Sequence, residues 1–576
     1  MKGFTYNGVP LVASWQAPEN GTSTPQSLKG SSPIRPILDV ARELGLGPDE
    51  IELFGPYKAK VKLSVFRRLK GPRAKLVVVT SMTATPAGEG KTCTAIGLTQ
   101  GLWSTGHRAV LCLREPSLGP LLGFKGGGTG TGKAQVVPAE DINLHFTGDL
   151  HAITTAHNLL AAVVDNHIVH GNKLRIDPAG ESLRRAIDIP DRQLRHIVSG
   201  LGGRGGGLPR ESGFDITAAS EIMAVVALAK DMDDLKRRLG RMLVGFNDRG
   251  VPVTAKSFHV VGALAVILKD ALKPNLVQTL EGQPTLVHAG PFANVSHGNS
   301  SVIALALGMR TAQYVVTESG FGADLGAEKF FDIVCPQARL RPDAAVVVVS
   351  VRALKSHGGV PADQLAKANI HAMEQGCVNL ERHLEAIRLF GVPPVVAINR
   401  FPTDTTAELG ALELYCRRRN VPVAISEAVA RGGAGAADLA GTLVATIKRT
   451  PSRFKPLYPL RLSLTQKLET IARKVYGADG INLDRRAEDD MARWERLGYR
   501  QLPVNIAKTQ LSFTDNPALK GAPTGWKLRV RECRLAAGAG FVVALCGKTT
   551  FIPGLPEHPL AEQLDVNKAG NVIGLG

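Results

Sequence analysis

The chain has 576 residues, of which 44% are hydrophobic, enough for large cores and about three domains. Its formal net charge of +18 suits anionic partners, but the basic residues are dispersed and only 5% of residues are aromatic, which disfavours nucleic-acid binding. The seven cysteines are scattered and form no C-x-x-C pair, which disfavours a disulfide scaffold and a zinc framework. No apolar run approaches the roughly 18 residues of a membrane span, which disfavours a membrane protein. Together these features predict a cytoplasmic enzyme.

The chain is predicted to begin with a loose leader. Residues 1–31 are polar and contain several turn-forming stretches. A helical pattern begins at Ile34, with Ile37, Val40 and Leu44 on one face. We therefore place the start of the first domain at residue 32.

The stretch LVVVTSMTATPAGEGKT, residues 76–92, predicts a strand, a glycine-bearing loop and the start of a helix. The loop N–H groups and the positive end of the helix would face an anion. In such a site the lysine reaches the terminal phosphates and the threonine hydroxyl binds Mg²⁺. Thr85 stands where the usual pattern has glycine, so an ordinary turn is the alternative. We predict that ATP with Mg²⁺ is bound by Thr85, Pro86, Ala87, Gly88, Glu89, Gly90, Lys91 and Thr92, with Mg²⁺ on Thr92.

A second predicted strand, residues 108–113, ends in Arg114 and Glu115. Strand ends in open α/β sheets carry ligand contacts, and an arginine there can hold an anion through two parallel hydrogen bonds. The alternative is a surface salt bridge between Arg114 and Glu115. The sequence alone leaves both roles of Arg114 open.

Residues 152–285 carry mostly helical patterns, including one over 218–239, and strand-and-loop alternation follows. Its apolar runs lie at 286–288, 314–316, 344–351, 394–398 and 421–425. This repetition predicts an α/β protein with a P-loop-type, mainly parallel, doubly wound sheet core and additional helical and α/β domains. We place a nucleotide-binding domain at 32–132 and 285–360, a mostly helical domain at 133–284, and a further α/β domain at 361–576.

Several motifs resemble one protein family and run in the family's order. They are TPAGEGKT (85–92), LREPSLGP (113–120), AQVVPAEDINLHFTGDLHA (134–152), KPNLVQTLE (273–281), GPFAN (290–294), GFGADLGAEKF (320–330), FPTDT (401–405) and PGLP (553–556). With these motifs the chain resembles formate–tetrahydrofolate ligases. The resemblance covers nearly everything after residue 33.

The resemblance implies a three-domain α/β protein of P-loop type that assembles as a homotetramer. It also implies that ATP, formate and tetrahydrofolate give 10-formyltetrahydrofolate, ADP and phosphate. Formate would attack the γ-phosphate to give formyl phosphate, and the folate amine would then attack the formyl carbon and expel phosphate. Lys91 would offset charge at the γ-phosphate, and Arg114, which matches the family's formyl-phosphate-binding arginine, would hold the intermediate.

Two further sites follow from the resemblance. The family is activated by monovalent cations such as K⁺ or NH₄⁺, and Glu115 and Asp149 match positions that would hold the cation. The folate ring would lie against Phe401 and Pro402, which places the folate side in the 361–576 domain.

The folate side departs from the family pattern. Val429 stands where the family usually has a tryptophan that completes an aromatic sandwich, and Lys133 and Leu511 stand where tyrosine is usual. An alternative interpretation is therefore a paralogue that retains the ATP site and has an altered or lost folate reaction. A third, a basic nucleic-acid-binding ATPase, has only the net charge of +18 in its favour.

Overall fold

A computed structural model describes residues 34–70, 74–86, 88–123, 126–178, 180 and 183–575, and the backbone of residues 5–6 and 9–10. The chain divides into two compact units, residues 1–33 and 34–576. In the first unit Thr5–Tyr6 pairs antiparallel with Val9–Pro10, and the rest of the predicted leader lies outside the described residues.

The second unit is built on a twelve-stranded sheet. In chain order its strands are β1 (Ile51–Leu53), β2 (Ala59–Val61), β3 (Lys75–Ser81), β4 (Ala109–Leu113), β5 (Gly130–Thr131), β6 (Ala134–Val137), β7 (Asn275–Thr279), β8 (Pro284–Val287), β9 (Tyr314–Gly322), β10 (Ala344–Val349), β11 (Pro394–Asn399) and β12 (Val423–Ser426). Across the sheet the order is β12-β11-β10-β3-β9-β4-β8-β7-β2-β1, and the β5–β6 ribbon joins β7. All pairs from β12 to β8 are parallel, and the others are antiparallel.

Most of the α-helices of the second unit connect or cover these strands. They are α1 (Ile37–Glu43), α2 (Lys91–Ser104), α3 (Leu118–Gly123), α4 (Ala139–Asn143), α5 (Asp149–Val169), α6 (Glu221–Leu228), α7 (Met232–Arg241), α8 (Val261–Leu268), α9 (Val302–Thr311), α10 (Cys335–Ala338), α11 (Val351–His357), α12 (Ile370–Leu389), α13 (Thr406–Arg418), α14 (Ala428–Arg431), α15 (Ala437–Arg449), α16 (Leu464–Ile471) and α17 (Arg485–Arg496).

Both faces of the parallel part of the sheet are buried, which explains why its strands read as continuous apolar runs. Successive side chains of a strand point to opposite faces, and in β3 Leu76 and Val78 join one hydrophobic core while Val77 and Val79 join another. Helices α9 and α12 contribute to the first core, and α2 and α15 to the second. The predicted mainly parallel α/β sheet is therefore confirmed.

A four-stranded sheet organises the C-terminal part of the chain. Its strands β13 (Gly480–Leu483), β14 (Val504–Ala507), β15 (Lys527–Ala536) and β16 (Phe541–Cys546) lie in the order β13-β15-β16-β14. Helices α16 and α17 pack on it around the buried Trp494. Shorter strand pairs outside both sheets join Arg185–Ile187 to Phe214–Ile216, Ile197–Ser199 to Arg210–Ser212, Leu243–Phe246 to Pro252–Thr254, and Asp565–Val566 to Val572–Ile573.

Several local predictions differ from the structure. Residues 152–285, expected to be mostly helical, also form three short strand pairs between residues 185 and 254. Residues 218–239 form the separate helices α6 and α7, because the Asp231 carboxylate accepts a hydrogen bond from the backbone N–H of Asp234 and starts a new helix there. Residues 275–279, expected in a mostly helical region, form β7, since a short run buried on both faces has no alternation that separates it from a buried helix. The predicted domain boundaries stay predictions.

Within the described residues, no helix combines the length and the apolar character needed to cross a bilayer.

Candidate active site

The carboxyl ends of the parallel strands form one edge of the central sheet. Strand β3 leads into the glycine loop, β4 leads into Arg114, and β9 carries Glu318. Because β9 lies between β3 and β4, these three elements are neighbours at the edge. Ligands of open α/β sheets bind in the crevice outside such strand ends. The fold therefore brings the predicted phosphate loop and Arg114 to one side of the molecule.

The loop between β3 and α2 is shaped by glycines with left-handed backbone angles. Gly88 has φ +71° and Gly90 has φ +77°, and a Cβ on Gly90 would lie 2.1 Å from Nδ2 of Asn399. That amide donates a hydrogen bond to the carbonyl of Glu89, at 3.2 Å. No described side chain caps the start of α2, so its first N–H groups are available to an anion.

Glu89 holds the loop together from inside. Its carboxylate accepts hydrogen bonds from the Thr85 backbone N–H at 2.6 Å and the Thr85 hydroxyl at 3.0 Å. The Lys91 ammonium lies 3.4 Å from the other Glu89 oxygen and 3.3 Å from the Ser81 hydroxyl. Both Lys91 contacts are long for hydrogen bonds, so the ammonium is free to exchange them for a stronger anionic partner.

The remaining residues of the predicted phosphate loop differ in exposure and in their contacts. Pro86 and Gly88 are exposed, and Ala87 lies outside the described residues. Thr92, in the first turn of α2, donates a hydrogen bond from its hydroxyl to Glu318 at 2.7 Å. Glu318 is 8% exposed and belongs to β9, the strand beside β3.

A hydroxyl and a carboxylate in this arrangement form an oxygen donor pair suited to Mg²⁺ beside a nucleotide. Glu318 is not among the residues predicted from the sequence, because the strand was expected to end at Val316 and to be followed by a loop. The signal that identifies Glu318 is an acid at the end of an apolar run, next to the phosphate-loop strand.

Arg114 turns toward β9 and the 290–294 loop. Its Nη1 donates a hydrogen bond to the carbonyl of Pro291 at 3.1 Å, and a Cβ on Gly320 would lie 2.9 Å from its Nη2. Burial lowers the pKa of Arg114, and the negative charge of Glu318 opposes that shift. Among the described residues Arg114 forms no salt bridge with Glu115, so the alternative surface pair is not present.

Unsatisfied buried polar groups lie in the loop beside Arg114. The Ser296 hydroxyl and both ring nitrogens of His297 have no hydrogen-bond partner among the described residues, and both side chains are buried. Burial, together with the positive charges of Arg114 and Lys329, lowers the pKa of His297 to about 3, so the ring is neutral at pH 7. Buried polar groups are nearly always paired, so these atoms mark a place that a polar ligand can complete.

Neither Ser296 nor His297 is predicted from the sequence. A single serine and a single histidine in a glycine-bearing loop have no spacing that distinguishes a ligand contact from a packed side chain. Their position becomes informative only when Gly298, the next residue, accepts a hydrogen bond from Gly320 beside Arg114, at 2.9 Å.

Glu115 and Asp149 lie together, and Lys60 lies with them. The Lys60 ammonium is 2.7 and 2.9 Å from the two carboxylate oxygens of Asp149, and the Asn275 amide donates to the same carboxylate at 2.9 Å. Burial and the negative charge of Asp149 raise the pKa of Glu115 well above its ordinary value, and the positive charge of Lys60 opposes that shift.

Lys60 thus already supplies a positive charge where a monovalent cation is predicted. The assignment of that cation to Glu115 and Asp149 stays a prediction. In the described part of the chain there is no cluster of three or more His, Cys, Asp or Glu side chains that could hold a metal ion.

The predicted folate-side residues follow two adjacent strands. Phe401 follows β11 and Val429 follows β12, and the Arg400 backbone N–H donates to the carbonyl of Ser426 at 3.1 Å. The half-buried Phe401 ring carries the guanidinium of Arg352 at 4.8 Å from its centroid. The two loops therefore leave the same edge of the sheet, and Arg352 covers one face of Phe401.

The other folate-side residues are less enclosed. Pro402 is exposed, and Val429 is half-buried, with its carbonyl accepting a hydrogen bond from the Lys133 backbone N–H at 2.9 Å. Near Val429, Glu427 forms ion pairs with Arg400 at 2.5 Å and with Arg431 at 2.8 Å. Two arginines that share one glutamate therefore lie near Val429.

A parallel α/β sheet with a glycine loop, a half-buried arginine and unpaired buried polar groups at its carboxyl edge has the architecture of an enzyme that acts on small anions. The family model for formate–tetrahydrofolate ligase matches residues 26–576, and the chain therefore belongs to this family. Members of this family are ATP-dependent ligases of one-carbon metabolism, with formate and tetrahydrofolate as substrates.

Proposed function

We propose that this protein joins formate to tetrahydrofolate at the carboxyl edge of the central sheet, consuming ATP and releasing ADP and phosphate. Family membership supports the overall reaction. The observation that carries the placement is the 2.7 Å hydrogen bond between Thr92 and Glu318. It joins the hydroxyl of a glycine loop to an acid on the neighbouring strand, as expected for a site that binds a nucleotide with Mg²⁺.

The residues present fit MgATP. Gly90 leaves no room for a side chain beside Asn399, so the backbone itself can approach the phosphates. Lys91, the first residue of α2, has exchangeable contacts, and the first turn of α2 adds uncapped N–H groups. Thr92 and Glu318 would hold Mg²⁺, which supplies charge neutralisation at the phosphate oxygens when it is bound.

The first chemical step brings a formate oxygen to the γ-phosphorus while the bond from that phosphorus to ADP breaks. Two anions approach one another, so the barrier depends on cations and oriented N–H groups. Lys91 and the start of α2 serve the phosphate, and Arg114 reaches the same crevice from β4. The product of this step is formyl phosphate.

The second step forms a bond from the folate amine to the formyl carbon and breaks the bond from that carbon to the phosphate oxygen. The amine loses its proton, and phosphate leaves with its charge held by Arg114. The neutral ring of His297 and the hydroxyl of Ser296 are unpaired groups that can bind the oxygens of formyl phosphate. Phe401 and Pro402 would receive the folate ring, giving 10-formyltetrahydrofolate.

A second candidate function rests on Val429. With valine instead of tryptophan and cations around it, the folate side can serve an altered substrate while the ATP site is retained. This alternative predicts ATP turnover that does not depend on tetrahydrofolate. The homotetramer that the family implies remains a proposal.

The experiment is a coupled assay of ADP release with each of MgATP, formate and tetrahydrofolate omitted in turn. Ligation predicts that ADP release requires all three and that 10-formyltetrahydrofolate forms in equal amount. Sustained ADP release without tetrahydrofolate would favour the paralogue. No ADP release with all three present would contradict both functions.

A further inference from the structure

The segment that leads from β3 into the phosphate loop is held from outside by two side chains. Thr83 lies between the end of β3 and Thr85, and it is fully buried. Its backbone N–H donates a hydrogen bond to Oδ1 of Asn379 at 3.1 Å, and its hydroxyl accepts one from Nδ2 of the same amide at 2.9 Å. Its carbonyl oxygen lies 3.2 Å from Nε2 of His357. Each polar group of Thr83 therefore contacts a side chain of α11 or α12.

Asn379 and His357 also hold Gly521, which is distant in sequence. Nδ2 of Asn379 donates to the Gly521 carbonyl at 2.7 Å, and the Gly521 N–H donates to Nδ1 of His357 at 3.2 Å. Because Nδ1 accepts, the proton of the neutral ring is on Nε2, which donates to the carbonyl of Thr83. Burial lowers the pKa of His357 to about 4, so the ring is neutral at pH 7. The two side chains thus close a ring of hydrogen bonds between two backbone segments.

Gly521 belongs to the connection between β14 and β15, residues 508–526. The structure describes this 508–526 loop in full, and it contains no helix or strand. It is longer than the roughly 12–15 residues above which such connections are uncommon and usually functional or disordered. Its start is fixed by Lys508, whose ammonium lies 2.7 Å from the Asp324 carboxylate, and residues 516–519 at its tip are exposed. Gly521 therefore fixes the part of the loop that returns from the tip.

Asparagine is well suited to this position. Its amide oxygen accepts from the Thr83 N–H, and its amide nitrogen donates to the Thr83 hydroxyl and to the Gly521 carbonyl. Asn379 is fully buried, and Nε2 of His383, one helical turn further along α12, lies 2.9 Å from the same hydroxyl. Loss of the amide would leave a buried N–H and a buried carbonyl without partners, which is costly. The two backbone segments are therefore expected to move together.

We propose that Asn379 and His357 are positioning residues that couple the phosphate loop to the 508–526 loop, so that MgATP binding stabilises both segments. The inference rests on the proposed function, because it takes the glycine loop as the nucleotide site. A displacement of Thr83 shifts the start of the loop that ends at Lys91. Loss of the clamp therefore weakens MgATP binding without removing any of the predicted ATP-binding groups, and binding that orders one segment orders the other.

Amide exchange in the parent protein tests the coupling directly. Hydrogen–deuterium exchange is followed by mass spectrometry with and without saturating MgATP, and neither formate nor tetrahydrofolate is needed. Exchange is predicted to slow by about threefold or more both in peptides covering 76–92 and in peptides covering 508–526. Peptides from the C-terminal end of α5 are the reference and are expected to be unchanged. Slowing confined to 76–92 would overturn the proposal.

Asn379→Ala tests the clamp, and Asn172→Ala is the matched control. Asn172 likewise holds one residue, Ile176, through the backbone N–H and carbonyl, both at 2.8 Å. It lies beyond the far end of α5, whose 21 residues span about 30 Å from Asp149. Both variants are expected to lower the midpoint temperature of unfolding. Asn379→Ala is also expected to raise the Kd of MgATP about five- to fiftyfold and to remove the slowing in 508–526, while the control keeps parental values of both.

The outcomes distinguish this inference from the proposed function. Unchanged MgATP affinity and exchange in folded Asn379→Ala would overturn the positioning role. MgATP binding with formation of 10-formyltetrahydrofolate, but without slowing in the 508–526 loop of the parent, would overturn the coupling and leave the ligase reaction standing. Absence of MgATP binding by the parent would contradict both. The exchange measurement on the parent decides even if Asn379→Ala fails to fold.

Discussion

Two cations of the carboxyl edge, Lys91 and Arg114, are held by long or neutral contacts. Within the described part of the chain, Lys91 has contacts of 3.3 and 3.4 Å, and the hydrogen bond that the Arg114 side chain donates goes to the carbonyl of Pro291. Positive groups held by long or neutral contacts cost little to redirect toward a phosphate. The electrostatics of the site are therefore those of a binder of anions, and they give the sharpest tests at the scale of the residue.

Lys91→Ala is expected to lower turnover by about 10²- to 10³-fold or more while the fold is kept, because the charge acts on phosphate and not on packing. The matched control is Lys75→Ala. Lys75 begins the same strand at the opposite edge and pairs with Asp343 at 3.1 Å, so its loss is expected to leave turnover unchanged. Steady-state rates and thermal unfolding of both variants decide it, and near-parental activity in folded Lys91→Ala would contradict the phosphate role.

Arg114→Ser is expected to lose ligation and still bind ATP, since Arg114 lies beyond the glycine loop. Arg114→Lys is expected to retain little ligation activity, because an ammonium cannot make the two parallel hydrogen bonds of a guanidinium. Arg108→Ser, just before the other end of β4, serves as the control with normal turnover. Rates and ATP titrations are the measurements. A lysine variant as active as the parent would show that Arg114 does not hold the intermediate in this way.

What could be predicted for single residues depended on local pattern. Lys91 and Thr92 follow a strand and a glycine loop, which is a contiguous signal. Glu318 and His297 are recognised as site residues only through neighbours that are distant in sequence. Glu318 accepts a hydrogen bond from Thr92, and His297 lies close enough to Arg114 for that charge to lower its pKa. A contact of that kind is a property of the fold, so the sequence alone did not reveal it.

At the scale of elements, the proposed folate site lies at the loops after β11 and β12. Arg352 covers one face of Phe401, and Val429 belongs to the short helix α14 at the end of the adjacent strand. A ligand ring would therefore have Phe401 on one side, while the family's aromatic partner is missing on the other. Substitution of Val429 tests directly whether α14 faces that ring.

Val429→Trp is expected to tighten tetrahydrofolate by about five- to a hundredfold with ATP little changed, on the scale of base–aromatic stacking. Ala430→Trp, one residue further along the same helix and exposed, is the control and is expected to leave folate affinity unchanged. Folate titrations of the three proteins are compared. Equal affinities for the parent and Val429→Trp would mean that the ring does not lie against residue 429.

The elements themselves were predictable where the chain repeats a pattern. Long apolar runs before polar loops predicted β9, β10, β11 and β12 because parallel strands are buried on both faces. The antiparallel edge was not predicted, since β1 and β2 have three residues each and carry no usable periodicity. The break between α6 and α7 depends on Asp231 acting as a cap, which a helical pattern alone does not show.

At the scale of the whole molecule, Glu221 ties α6 to the turn between β15 and β16. Its carboxylate accepts hydrogen bonds from the backbone N–H groups of Gly538 at 2.6 Å and Ala539 at 3.2 Å. Burial raises the pKa of Glu221 from 4.5 to about 7. Between these values the folded protein keeps a proton that the unfolded chain releases, so this group lowers stability as pH rises from about 4.5 to 7.

The prediction is that Glu221→Gln flattens this part of the pH dependence. Between pH 5 and pH 7 the midpoint temperature of unfolding is expected to fall more for the parent than for the variant, because glutamine has no proton to release. Glu469→Gln, at an exposed glutamate paired with Arg473, is expected to keep the parental slope. Thermal unfolding at a fixed scan rate measures all three, and identical slopes for the parent and Glu221→Gln would contradict the account.

The measurement that tests the central claim most directly follows an oxygen atom. If formate attacks the γ-phosphorus and phosphate later leaves from the formyl carbon, one formate oxygen must end in the released phosphate. Turnover of ¹⁸O-labelled formate with ATP and tetrahydrofolate, analysed by mass spectrometry of the phosphate, is predicted to show one ¹⁸O per phosphate. Unlabelled phosphate formed alongside 10-formyltetrahydrofolate would contradict ligation through formyl phosphate.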